Sequence, residues 1–133
     1  MMMEFNLHGE AHAVATRAQL QTLLARSHTL AQCELWLTMA SDADADADQG
    51  PALCMLRNGG NAWLMYWSPQ DGASYHSLGD EEAPGECSYL LANGQVDFYP
   101  EAWCIAVELC HQAMAAFLRD RGMRPAAVAW QAD

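Results

Sequence analysis

Apolar positions recur at helical spacing early in the chain and then switch to alternation. Leu20, Leu23, Leu24 and Ser27 form one face behind Thr16, and Gln19 stands where a capping box needs it, which predicts a helix over 17–28. Short alternating runs follow. Over 34–39, Leu35, Leu37 and Met39 share a face, with Trp36 and Thr38 on the other. Runs at 53–57 and 62–67 flank Asn58-Gly59-Gly60-Asn61, a hairpin turn whose residues accept positive φ. Trp63, Met65 and Trp67 fall on one face of the second run, Leu64 and Tyr66 on the other. Runs at 88–92 and 95–99 flank Asn93-Gly94, a strong hairpin signal. There Val96 and Phe98 point one way, Asp97 and Tyr99 the other.

Pro100 ends that strand. Helical spacing returns over 106–121, with Cys110, Ala113, Met114, Phe117 and Leu118 on the buried stripe. Glu108 in the first turn and Arg119 and Arg121 in the last suit the macrodipole, and Gly122 is the expected stop. Pro125 and a short strand over 127–131 carrying Trp130 complete the pattern. The order is helix, meander, helix, strand. It predicts an α+β fold: an antiparallel sheet of about five to seven strands with two main helices against it. One domain over 1–133 is expected, with 1–14 as a partly ordered N-terminus and two long loops, 41–50 and 68–86.

Charge changes the picture. The chain holds 17 acids and 6 bases, for a net charge of −11, and every base is an arginine: Arg17, Arg26, Arg57, Arg119, Arg121 and Arg124. Residues 41–108 contain twelve acids and one base, whereas the two flanks hold five of each, so the excess sits in the middle of the chain. Nucleic acid and anionic membrane surfaces are therefore excluded as partners, since both select basic patches. No apolar run approaches the roughly 20 residues of a membrane span, and the first ten residues lack the basic start and apolar stretch of a secretory signal. Five cysteines, odd in number and without a C-x-x-C, fit free thiols in a reducing, cytoplasmic setting.

Candidate chemistry is thin. Asp42, Asp44, Asp46 and Asp48 alternate with alanine, but an EF-hand needs Gly at its sixth position and Glu at its twelfth. Starting from Asp42 those positions hold Ala47 and Leu53. The run reads as a solvated linker or as carboxylates facing a basic partner. His8-Gly9-Glu10 matches half of a zinc deaminase signature whose Pro-Cys-x-x-Cys half is missing, and His8 and His12 lack a third ligand. Ser74 and His76 lack a nucleophile elbow, and adjacent Cys110 and His111 point in different directions on a helix. No catalytic constellation, metal site or cofactor site is expected. The aromatic set Trp63, Tyr66 and Trp67 reads as sheet core, with a ligand pocket as the alternative.

The C-terminal half carries a recognisable order of elements. Gly94 and Phe98-Tyr99-Pro100 are followed by a helix ending Ala116-Phe117-Leu118, then Gly122, Arg124-Pro125, Val128 and Trp130-Gln131. With the Asn-Gly-Gly turn and Tyr75-His76-Ser77-Leu78-Gly79-Asp80, this resembles immunity protein family one of bacterial polymorphic-toxin systems, over residues 58–131. The resemblance implies a non-enzymatic protein that binds a cognate toxin domain tightly and blocks its active site. Toxins of such systems include nucleic-acid deaminases and nucleases delivered by contact-dependent or type VI secretion. Gly94, Pro100, Phe117, Gly122, Arg124, Pro125 and Trp130 are then structural: Arg124 meets carbonyls at the helix end, Pro125 stops the helix and Trp130 packs into the core.

Acidity fits this independently, because a toxin acting on nucleic acid needs a basic groove that an acidic inhibitor can occupy. The expected contacts are Asp42, Asp44, Asp46, Asp48, Asp80, Glu81, Glu82 and Glu86, with Tyr66 and Asp97 beside them. The alternative reading is a small cytosolic ligand-binding or regulatory domain using the aromatic sheet face.

Overall fold

The computed structural model describes residues 2–39, 50–70 and 72–133. Its elements in chain order are β1 (Met3–Leu7), β2 (Glu10–Val14), α1 (Arg17–Ser27), β3 (Gln32–Met39), β4 (Ala52–Asn58), β5 (Asn61–Ser68), β6 (Ala73–Ser77), β7 (Glu86–Leu90) and β8 (Val96–Pro100). A 3₁₀ turn (Glu101–Trp103), α2 (Val107–Arg119) and β9 (Trp130–Ala132) complete it. Seven strands form one antiparallel sheet in the order β2-β1-β3-β4-β5-β6-β9, and β7 and β8 form a separate pair. The α+β expectation therefore holds, as do the two helices.

The N-terminus departs from it. Rather than a partly ordered segment, residues 3–14 form the β1–β2 hairpin, turning through His8 and Gly9 at φ 48° and 95°. Met3, Phe5 and Leu7 point into the core and β1 pairs with β3, so apolar burial and a ladder on both edges hold it. The 68–86 segment likewise contains β6, which pairs with β5 and β9.

Both helices lie on one face of the sheet. Thr16 and Gln19 form the capping box: the Gln19 amide donates to Thr16 Oγ1 at 3.2 Å, and the Thr16 amide to Gln19 Oε1 at 3.1 Å. The buried stripes of α1 and α2 meet Phe5, Leu35, Leu37, Leu53, Met55 and Leu64 in one core. Helix α2 ends with the left-handed residue at Arg121 (φ 56°), not first at Gly122, which follows at φ 84°. The Gly122 amide donates to the Phe117 carbonyl at 2.8 Å, as a Schellman closure requires.

Arg57, 5% exposed, braces the helical layer. Its guanidinium donates to the carbonyls of Ser27 at 2.6 Å, Leu30 at 2.5 Å and Gly59 at 3.1 Å, tying the end of α1 to the β4–β5 turn. The Ser27 carbonyl in the last turn of α1, which also accepts from the Leu30 amide at 3.2 Å, thus gains a charged donor.

Candidate functional site

The face of the sheet opposite the helices is covered in part by the β7–β8 hairpin and the 3₁₀ turn. Cys54, Leu56, Trp63 and Tyr89 form a second core there, joined by Tyr99 and Trp103. The Trp63 ring lies 4.6 Å from Tyr99 and 5.1 Å from Trp103, while His76 stacks on Trp103 at 3.9 Å between centroids. This explains why β4 is buried on both faces: Leu53 and Met55 meet the helices, Cys54 and Leu56 the hairpin. It also covers Trp63 on the aromatic sheet face that the ligand-binding alternative needs, whereas Trp67 stays half-buried outside that cluster.

The hairpin is held to the sheet by side chains. The Asn58 amide donates to the Ser88 carbonyl at 2.9 Å, and the Leu90 amide to Gln32 Oε1 at 2.9 Å. The Ala92 amide donates to Glu34 Oε1 at 2.9 Å, and the other oxygen of Glu34 accepts from Trp36 Nε1 at 2.7 Å. At the root, Gly79 approaches so closely that a Cβ there would lie 1.8 Å from the Cys104 carbonyl oxygen. Glycine is required at that packing point, a role the Tyr-His-Ser-Leu-Gly-Asp stretch does not advertise. Ser77 Oγ donates to the Trp103 carbonyl at 2.8 Å and accepts from the Leu64 amide at 2.9 Å. Burial of Tyr89 pushes its phenol well above the ordinary range, with the Cys104 thiol 3.2 Å away reinforcing the shift.

The expected contact residues separate on this frame. Asp80, Glu81 and Glu82 are exposed on a turn before the hairpin, where the Glu82 amide donates to Asp80 Oδ1 at 3.0 Å. Glu86 is exposed at the start of β7, opposite Pro100. Asp97 is half-buried on β8 and accepts from Gln95 Nε2 at 2.6 Å and from the Tyr99 hydroxyl at 3.1 Å. Asp42, Asp44, Asp46 and Asp48 lie outside the described residues. On either side of that segment the Gly50 amide donates to the Met39 carbonyl at 3.0 Å.

Tyr66 is a correction. It is 6% exposed, packed between Phe117, Tyr75 and Trp130, and its hydroxyl donates to the Gly122 carbonyl at 2.8 Å, so it belongs to the helix-side core. Arg124 is another: its guanidinium carbon lies 4.1 Å over the Tyr75 ring, a cation–π contact in place of helix-end carbonyls. Trp130 packs on the main core while its indole donates to the Pro125 carbonyl at 2.8 Å.

Among the described residues, the other groupings singled out in the sequence do not come together as sites. His8 sits in a turn and accepts from the Glu34 amide at 3.2 Å, and His12 lies on β2, so helical ligand spacing does not arise. Among the described residues no three His, Cys, Asp or Glu side chains gather as metal ligands, and no helix is long and apolar enough to cross a membrane. Burial raises the Cys110 thiol to about 12, which leaves it inert beside His111. Ser74 Oγ and His76 Nδ1 both bind Asp133, at 2.6 and 2.5 Å. Serine and histidine thus share the carboxylate rather than contact one another, and the trio fastens β6 to the chain after β9.

The family model described as Immunity protein Imm1 matches residues 8–132. The chain belongs to the Imm1 immunity family. Membership makes it an immunity protein, with a toxin protein as its partner. No curated protein matches the chain. The Imm1 match begins at the β1–β2 turn and ends in β9, so it spans both helices, the β7–β8 hairpin and every strand of the sheet except β1.

Proposed function

We propose that this Imm1 protein neutralises a cognate toxin domain acting on nucleic acid, a deaminase or a nuclease, by covering its active-site groove with an acidic surface. The toxin is one delivered between bacteria by contact-dependent or type VI secretion, and the inhibitor meets it in the cytoplasm. Inhibition is by binding and uses no catalytic step or cofactor. The observation that carries this reading is the distribution of charge. Between Arg57 and Arg119 the chain has eight acids and neither lysine nor arginine, and Asp80, Glu81, Glu82 and Glu86 from that stretch are exposed around the hairpin root. A groove built to hold phosphates presents the opposite potential, which speeds encounter and favours the bound orientation.

The test is co-expression with the toxin domain encoded beside this chain, together with pull-down of the purified pair. Rescue of growth, and a complex in which the toxin no longer processes nucleic acid, is the expected result. A neighbouring toxin that neither binds nor loses activity would overturn the reading.

A further inference from the structure

The β7–β8 pair has two edges that are treated differently. In an antiparallel pair, opposed residues alternate between those that exchange backbone hydrogen bonds and those whose backbone groups point outward. The Leu91 amide donates to the Gln95 carbonyl at 2.8 Å, so the next pair, Leu90 and Val96, is of the outward kind, as is Ser88 with Phe98. On β7 these outward groups are occupied: the Ser88 carbonyl accepts from Asn58 and the Leu90 amide donates to Gln32. On β8 the corresponding groups of Val96 and Phe98 meet no hydrogen-bonding partner among the described residues. Their side chains are also bare, 51% exposed for Val96 and 62% for Phe98. Pro100 occupies the third outward position, so the open edge ends there.

An open edge with two exposed apolar side chains invites indiscriminate pairing, and proteins ordinarily blunt such edges. Here it persists within a stretch, residues 58–118, that holds eight acids and neither lysine nor arginine. We infer that the β8 edge is where the toxin docks: an extended segment of the toxin domain adds as a third strand to β7–β8. Backbone groups of Val96 and Phe98 make the ladder, Phe98 inserts into an apolar pocket on the toxin, and basic residues flanking that segment face Glu86 and the Asp80–Glu82 turn. Strand addition gives affinity through the main chain and specificity through alternate side chains. The inference rests on the proposed function and names the surface that performs it.

The test uses the full chain and the neighbouring toxin domain, with binding followed by surface kinetics. Phe98→Ala removes the anchor from an exposed position, and Val96→Pro removes one outward amide that β7 does not use. Met123→Ala, an exposed apolar residue after α2, is the control. Thermal melting and the near-ultraviolet signal of the Trp63–Trp103 cluster report that each variant is folded.

Affinity weaker by at least about tenfold for both β8 variants, chiefly through faster dissociation and with the control unchanged, is expected. Wild-type affinity in both overturns the docking edge while leaving the immunity reading intact. Loss in Phe98→Ala alone overturns strand addition, since the side chain then acts without the ladder. Self-association of the wild type that Phe98→Ala abolishes, with toxin binding unchanged, assigns the edge to a second copy and overturns the inference. Failure of the wild type itself to bind removes the proposed function and this inference together.

Discussion

The Tyr66 hydroxyl donates to the carbonyl of Gly122 across 2.8 Å, linking the middle of the sheet to the turn that follows α2. Removing the donor leaves a buried carbonyl short of a partner. Tyr66→Phe should therefore lower stability by about 1 kcal/mol, read from the denaturant midpoint, with toxin binding unchanged. Gly122→Ala should cost more. At φ 84° an added Cβ is strained, and it would stand 3.1 Å from Met39 Sδ and 3.3 Å from Pro51 Cγ. A Gly122→Ala protein as stable as the wild type would contradict this account of the turn.

Arg57 is the brace of the helical layer, and its three acceptors are backbone carbonyls. Arg57→Met keeps most of the volume and removes every donor. Stability should fall by about 3 kcal/mol, and Arg57→Lys should recover only a minor part because ammonium lacks the planar fork. Urea titration of the three proteins distinguishes this from a charge effect, which lysine would restore in full.

His111 supplies a pH dependence. Burial, then the nearby His28 and Arg57, hold its imidazole below the ordinary range, and its ring lies 5.0 Å from that of His28. The unfolded chain takes up this proton at higher pH than the folded one. The stability His111 contributes is therefore complete above about pH 6.5 and is lost as pH falls through the lower folded value. His111→Gln should flatten that loss between about pH 7 and about pH 5, measured by urea midpoints. Equal losses in both proteins would remove His111 as the cause.

The two acidic segments can be tested apart. Asn at Asp42, Asp44, Asp46 and Asp48 should slow association with the toxin and flatten its dependence on salt, with little change in dissociation. The same experiment on Asp80, Glu81 and Glu82 reports on the hairpin root. An unchanged rate and salt slope would make the segment concerned a linker only.

Much of this fold was legible in the chain. The capping box at Thr16 and Gln19, the stripe of α2 and the two Gly-containing hairpins are local signals, and local signals determine those elements. The β1–β2 hairpin was missed because its turn is His8-Gly9, which suggests a metal motif before it suggests a turn, and because β2 exposes Glu10, Ala11 and Ala13 at the sheet edge. Strand β6 hid for a similar reason: Ala73-Ser74-Tyr75-His76-Ser77 has little apolar alternation, and its order comes from ladders on both sides. Tyr66 was misplaced because both faces of β5 are apolar, and periodicity alone does not say which face meets the helices. The charge excess was legible, and so was the outward alternation of Val96 and Phe98. That β8 keeps an open edge depends on Gln32 and Asn58 reaching β7, a tertiary fact without local signal.

Because the hairpin is attached to the sheet through side chains rather than a continuous ladder, the residues that seat it are separable from those it displays. Tyr89, Tyr99, Gln32 and Asn58 keep it in place, while Ser88, Val96 and Phe98 face outward and carry no part of the core. Substitutions on the displayed side can accumulate without touching the frame. With the docking edge inferred above, an immunity protein under pressure from a changing adversary would rewrite what it recognises while inheriting how it folds.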